Sequence, residues 1–155
     1  VVVGATIAEL VTVDLVDSLK EIVGAPDYKR KLNVYRMGGN VLDKPQYPCA
    51  ILLDQGRDES DDGPNGLVQV NHRFDVIVGM EAVSSTWPET INAILADVAA
   101  KLREDHTRGG SAMDTHVESA EVWDSQSEGD ELLGAGQVSV LVHYRHLYDD
   151  PKTSR

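Results

Sequence analysis

Apolar residues recur at helical spacing over residues 6–23, where Ile7, Leu10, Val11, Leu15, Leu19, Ile22 and Val23 are mostly three or four positions apart. Asp14 interrupts this stripe, and Glu9, Asp17, Lys20 and Glu21 occupy the other side. Gly24 and Pro26 predict the stop, because glycine accepts a left-handed exit and proline cannot continue the helix. A second helical period covers residues 87–105, with Ile91, Ile94, Leu95, Val98 and Leu102 on one side. Thr86-Trp87-Pro88-Glu89 has capping-box spacing with proline in the first turn, and Arg108-Gly109-Gly110 supplies the exit.

Between and after these stretches the period falls to two. Residues 67–80 predict the clearest strand, with Val68, Val70, His72, Phe74, Val76 and Val78 on one side and Gln69, Asn71, Arg73 and Asp75 on the other. Shorter strands are predicted at 31–37, before the Gly38-Gly39-Asn40 turn, and at 48–55, where Pro48 opens the run Ala50-Ile51-Leu52-Leu53. Two more follow at 116–124 and 137–147. Residues 56–66 and 125–136 are rich in acid, glycine or both, and are expected to be loops. The strands flanking the first are expected to form a long β-hairpin with a projecting acidic loop. The order helix, two strands, long strand, helix, two strands gives an α+β fold, a mainly antiparallel sheet with an N-terminal helix and a second helix packed on it. One domain over residues 1–148 and a polar, mobile tail over 149–155 are expected.

Charge narrows the function. The 155 residues include 26 Asp and Glu against 14 Lys and Arg, a formal net charge of −12. That sign opposes phosphate binding on a nucleic acid and attachment to an anionic membrane. A hydrophobic fraction of 41% excludes a disordered acidic tail. The single cysteine, Cys49, rules out an intramolecular disulfide, and its apolar setting favours a buried thiol over a nucleophile. No apolar run reaches 18 residues, and Val1-Val2-Val3 lacks the charged start of a secretion signal, so a soluble, cytosolic product is expected.

Candidate chemistry is sparse. Asp58-Glu59-Ser60-Asp61-Asp62-Gly63 follows the first half of a calcium loop, but position seven is Pro64 and position twelve is Gln69, where a bidentate Glu is needed. His143 and His146 are three apart on a strand and point to opposite sides, so they cannot share a metal. His72, on an apolar side, is a core or interface histidine before it is a ligand. Gly109-Gly110-Ser111-Ala112-Met113 follows a helix rather than a strand and lacks the last glycine of a nucleophile elbow. No zinc spacing, Walker loop or dinucleotide fingerprint is present. No catalytic residue, metal or cofactor is expected, and the chain is not expected to be an enzyme.

Several segments in order carry a family resemblance. They are the N-terminal helix, Tyr47-Pro48-Cys49-Ala50-Ile51-Leu52, Phe74-Asp75-Val76-Ile77-Val78, and Ile91-Asn92-Ala93-Ile94-Leu95-Ala96-Asp97-Val98. Next come Glu104-Asp105-His106-Thr107-Arg108-Gly109-Gly110-Ser111-Ala112 and Gln137-Val138-Ser139-Val140-Leu141-Val142-His143-Tyr144-Arg145. Over roughly residues 5–148, in the order and spacing of these segments, the chain resembles the tail terminator (tail completion) proteins of long-tailed bacteriophages. The resemblance implies a structural virion protein at the tail and neck, assembled in the host cytoplasm. It implies a homo-oligomer, a hexameric ring, at the head-proximal end of the viral tail. That ring stops tail-tube polymerisation and joins the tube protein to the head–tail connector, with DNA passing through unbound. Another neck or head–tail joining protein is the related alternative, and a cytosolic ligand-binding or enzymatic α+β domain the remote one. In a ring, Asp58, Glu59, Asp61 and Asp62 either line the lumen and repel DNA or serve solubility alone. Trp123 and His72 are the candidate subunit-interface residues, Trp123 being core instead if the chain stands alone.

Overall fold

The computed structural model describes residues 5–24, 26–37, 45–61, 66–82, 85–128, 131–147 and 149–153. Helix α1 runs Ile7–Lys20. Thr6 caps it, its hydroxyl oxygen accepting from the Glu9 amide at 3.2 Å, which satisfies a first-turn donor that has no intrahelical carbonyl. The Ile7 amide, another such donor, bonds the Pro151 carbonyl at 2.9 Å. Ile7, Val11, Leu15 and Leu19 form the buried stripe. The helix ends before the expected Val23, because the Glu21 and Ile22 amides tighten onto Ser18 and Leu19, and Val23 instead bridges to Lys31.

The remaining elements are β1 (Asn33–Arg36), β2 (Cys49–Ser60), β3 (Leu67–Glu81), α2 (Trp87–Glu104), β4 (Asp114–Glu128) and β5 (Glu131–Leu147). The fold is α+β, with two helices and a five-stranded mixed sheet in the order β1-β2-β3-β5-β4. Neighbours are antiparallel except β1 and β2, whose parallel pairing uses residues 37–48 as the crossover, about the dozen residues such a connection needs.

Alternation assigns the two faces. Val68, Val70, His72, Phe74, Val76 and Val78 of β3 are buried, as are Val138, Val140, Val142 and Tyr144 of β5. They join the apolar stripes of both helices in one aliphatic core. Close approach of α2 depends on glycine in β5. A Cβ on Gly134 would overlap the Trp87 ring, and one on Gly136 would stand 2.8 Å from Leu95. On the opposite face, which neither described helix covers, Ile51, Ile77, Ala135, Arg73 and Asp75 are half-buried or exposed.

Strand reaches into both stretches expected as acidic loops, over residues 56–60 of the first and over 125–128 and 131–136 of the second. β2 continues to Ser60, with Asp58 opposite Asn71, Glu59 opposite Val70 and Ser60 opposite Gln69. β4 and β5 pair until Glu128 meets Glu131. Gly, Asp, Glu and Ser have low strand propensity, but pairing against a long partner overrides it. The capping box at α2 is not formed: Thr86 has φ −95° and ψ 9°, not the extended backbone a capping side chain needs, and makes no side-chain cap bond. Residues 149–153 of the expected mobile tail fold back, with the Leu147 amide on the Thr153 carbonyl at 3.0 Å and the Thr153 hydroxyl on Asp150 at 2.6 Å.

Candidate functional site

The sheet interior holds a polar chain built around a bulge in β2. Register between β2 and β3 shifts between Asp54 and Arg57. Gly56 takes φ +99° there, a conformation glycine adopts without steric cost, and its amide donates to Asp54 Oδ1 at 2.9 Å. The same oxygen lies 2.8 Å from His72 Nε2. His72 Nδ1 is 3.0 Å from the Tyr144 hydroxyl, and the imidazole stacks on Phe74 with centroids 4.1 Å apart. An ionised carboxylate only accepts, so Nε2 carries the proton and Nδ1 accepts from tyrosine.

Electrostatics favour this neutral imidazole. Burial pulls the His72 pKa below its ordinary value, against the opposing pull of Asp54. Burial pushes Asp54 up, but the Gly56 amide and His72 more than offset it, holding the carboxyl below its usual value. Burial raises the Tyr144 hydroxyl, opposed by its hydrogen bond with Arg57. Asp–His–Tyr is an order that could relay a proton to an activated hydroxyl. Tyr144, however, is 1% exposed, so its oxygen does not meet solvent or a substrate. The arrangement ties β2, β3 and β5 together at the bulge.

The expected site residues therefore separate. His72, expected in the core or at an interface, is 1% exposed, and both its ring nitrogens are bonded within its own chain. Asp58 and Glu59 lie on β2 rather than in a loop; both are exposed, as is Asp61 beyond the strand end. Asp62 lies outside the described residues. Trp123 is half-buried on the helix-free face, and its indole nitrogen donates to Glu121 at 3.1 Å. It borders a half-open groove of about 390 Å³ that Tyr47, Ile51, Ile77, Leu133 and Ala135 also line. Cys49 is buried at the same groove, and burial raises its thiol pKa, as expected for an inert cysteine. Among the described residues no group of three His, Cys, Asp or Glu side chains is placed to hold a metal.

Arg108 is a second polar centre, and it was expected only as part of a helix exit. Its guanidinium donates to the Leu102 carbonyl at 2.6 Å and to the Asp105 carbonyl, capping the end of α2. It also reaches Ser18 at 3.4 Å and Asp14 at 3.3 Å on α1. Its side chain is fully buried, and its backbone sits at φ +49°, a conformation costing a non-glycine residue roughly 1–2 kcal/mol. Asp14, the break in the α1 stripe, is thus the acidic partner of a buried cation. Burial nevertheless raises the Asp14 pKa, because Arg108 only partly offsets desolvation and three neighbouring carboxylates. The visible signal was an acid inside an apolar stripe; nothing local to Arg108 distinguished it from a surface arginine.

No described helix is long and apolar enough to cross a membrane. In comparison with known proteins, no protein-family model and no curated protein matches the chain.

Proposed function

We propose that this chain is a structural virion protein that assembles as a hexameric ring at the head-proximal end of a phage tail, ends tube polymerisation and joins the tube to the connector. One observation supports this reading above others. The segments that resemble tail terminators fall on the framework of the fold, leading into β2, along β3 and α2, through the turn after α2 and along β5. The resemblance thus follows elements that define the domain rather than peripheral segments. The net charge of −12 is compatible with a ring that encircles DNA without gripping it, since like charge keeps phosphate at a distance. On this reading the acidic end of β2, with Asp58 and Glu59, and Asp61 beyond it face the channel.

The test mixes the purified chain with tail tubes. Negative-stain images are expected to show a ring on one end of each tube and no further tube growth. Isolated monomers beside uncapped, growing tubes would defeat the proposal. Neutralising Asp58, Glu59, Asp61 and Asp62 to Asn or Gln is expected to leave thermal unfolding unchanged and slow DNA ejection. Unchanged ejection would assign the acids to solubility instead.

A further inference from the structure

One edge strand of the sheet is acidic, and a basic run leads into the other. Edge strand β4, residues 114–128, contains Asp114, Glu118, Glu121, Asp124 and Glu128 and no Lys or Arg. The segment leading into and along the other edge strand, residues 28–37, contains Lys29, Arg30, Lys31 and Arg36 and no acid, in a chain that is otherwise strongly negative. Arg36 is engaged by Glu9 at 2.6 Å. Lys29, Arg30 and Lys31 are exposed.

A continuous row joins the two edges. Asn33, Cys49, Gly79, Ala135 and Trp123 are successive register partners across all five strands. The apolar groove lies along this row, bounded by Trp123 at the β4 side and Tyr47 at the β2 side. Tyr47 also lines a smaller hollow of about 170 Å³ with Arg30, Pro48, Met80 and Glu81. Each end therefore presents an aromatic ring beside a charge, Trp123 with Glu121 and Tyr47 with Arg30.

We infer that the partner for each edge is the opposite edge of a second copy of this chain. Glu118 is engaged by Arg73 of its own chain at 2.7 Å, so Glu121 of one copy faces the Lys29–Lys31 run of the next, and Trp123 packs at the Tyr47–Arg30 hollow. Charge complementarity selects this pairing over like edges meeting, since like-charge juxtaposition is disfavoured at an interface. Trp, Tyr and Arg are the residue types that anchor such contacts, and an arginine over an aromatic face adds cation–π attraction. The two surfaces differ, so the contact is head-to-tail and repeats until it closes as a ring or runs on as a filament. The inference deepens the proposed ring by naming its contact surfaces, and rests on that reading only for closure into six.

The experiment is sedimentation velocity on the full chain in low and high salt, with Arg30→Glu, Glu121→Lys, their 1:1 mixture and the double variant. The unaltered chain is expected to self-associate, and less so in salt. Each single variant is expected to associate at least roughly tenfold more weakly. Association is expected to return both in the mixture, where edges of opposite charge meet again, and in the double variant, where the charges are exchanged. That return would also show the single variants to be folded. A chain that stays monomeric in low salt, single variants that associate normally, or failure of both rescues would overturn the inference. Rescue by charge exchange without tube capping would sink the proposed function and leave this contact standing.

Discussion

The two faces of the sheet handle polar groups by different rules. Among the described residues the buried polar side chains are Thr12, His72, Arg108 and Thr115, and each has partners, Arg108 leaving only its Nε unpaired. Thr12 bonds the Ala8 carbonyl at 2.8 Å, and Thr115 bonds the His106 carbonyl at 2.9 Å. On the helix-free face the contacts are shallower. Arg73 pairs with Glu118 at 2.7 Å with both side chains substantially exposed, and Ser139 links Asp75 to Gln137. An unpaired polar group costs far more where water cannot replace its partner. The covered face therefore constrains which residue stands where, while the open face leaves its residues free to be chosen for contacts with another molecule.

The comparison is most easily broken at Arg108. Arg108→Met removes the cap on α2 and strands Asp14, and loss of one member of a buried pair costs about 3–5 kcal/mol. Urea unfolding is expected to show a loss of that size. Asp14→Asn is expected to cost less, about 2 kcal/mol, because the Leu102 and Asp105 carbonyls still receive the guanidinium. Equal losses would mean that the ion pair, not the helix cap, is the main contribution.

His72 sharpens the comparison through pH. His72→Leu keeps an apolar body and loses two hydrogen bonds, an expected cost of about 1–3 kcal/mol. Because burial lowers the folded pKa below 6.5, the unfolded chain binds the proton first as pH falls. The stability associated with neutral His72 is complete above pH 6.5 and declines from there down to the folded pKa. Asp54 adds a separate acid loss below pH 3.8, as its lowered folded pKa is crossed. Unfolding midpoints measured across pH 7 to 5 are expected to fall more steeply for the unaltered chain than for His72→Leu. Parallel slopes would mean that the imidazole is solvated.

Much of this contrast was legible in the chain. Period-two alternation over residues 67–80 separated Val68, His72 and Phe74 from Gln69, Arg73 and Asp75, and that division is the covered and open face of β3. Helical spacing located α2 to within one residue at its end. What escaped depended on partners distant in sequence. Gly56-Arg57-Asp58-Glu59 has loop composition, and only pairing with β3 across the bulge makes it strand. Trp123 was open between core and interface, and its half-buried place in a groove depends on residues of β2, β3 and β5. Asp14 and His72 were visible as polar residues on apolar stripes, yet Arg108 and Asp54, which satisfy them, lie 94 and 18 positions away.

The smallest expected effect compares two glycines, one on each face. A methyl added at Gly134 would overlap the Trp87 ring, so Gly134→Ala must displace a large aromatic side chain, at an expected cost of about 1–3 kcal/mol. Gly79 lies on the open face, where the same methyl would meet Tyr47 Cε1 at 3.3 Å and Cys49 Sγ at 3.4 Å. The Tyr47 ring borders the groove and can yield by a few tenths of an ångström, so Gly79→Ala is expected within about 0.5 kcal/mol of the unaltered chain. The same methyl narrows the groove between Tyr47 and Trp123, the surface assigned to a neighbouring copy. Thermal unfolding that is unchanged, together with weaker self-association, is therefore the expected result for Gly79→Ala. A loss of stability as large as that of Gly134→Ala would mean that the open face is packed as tightly as the covered one, and the two faces would then obey one rule.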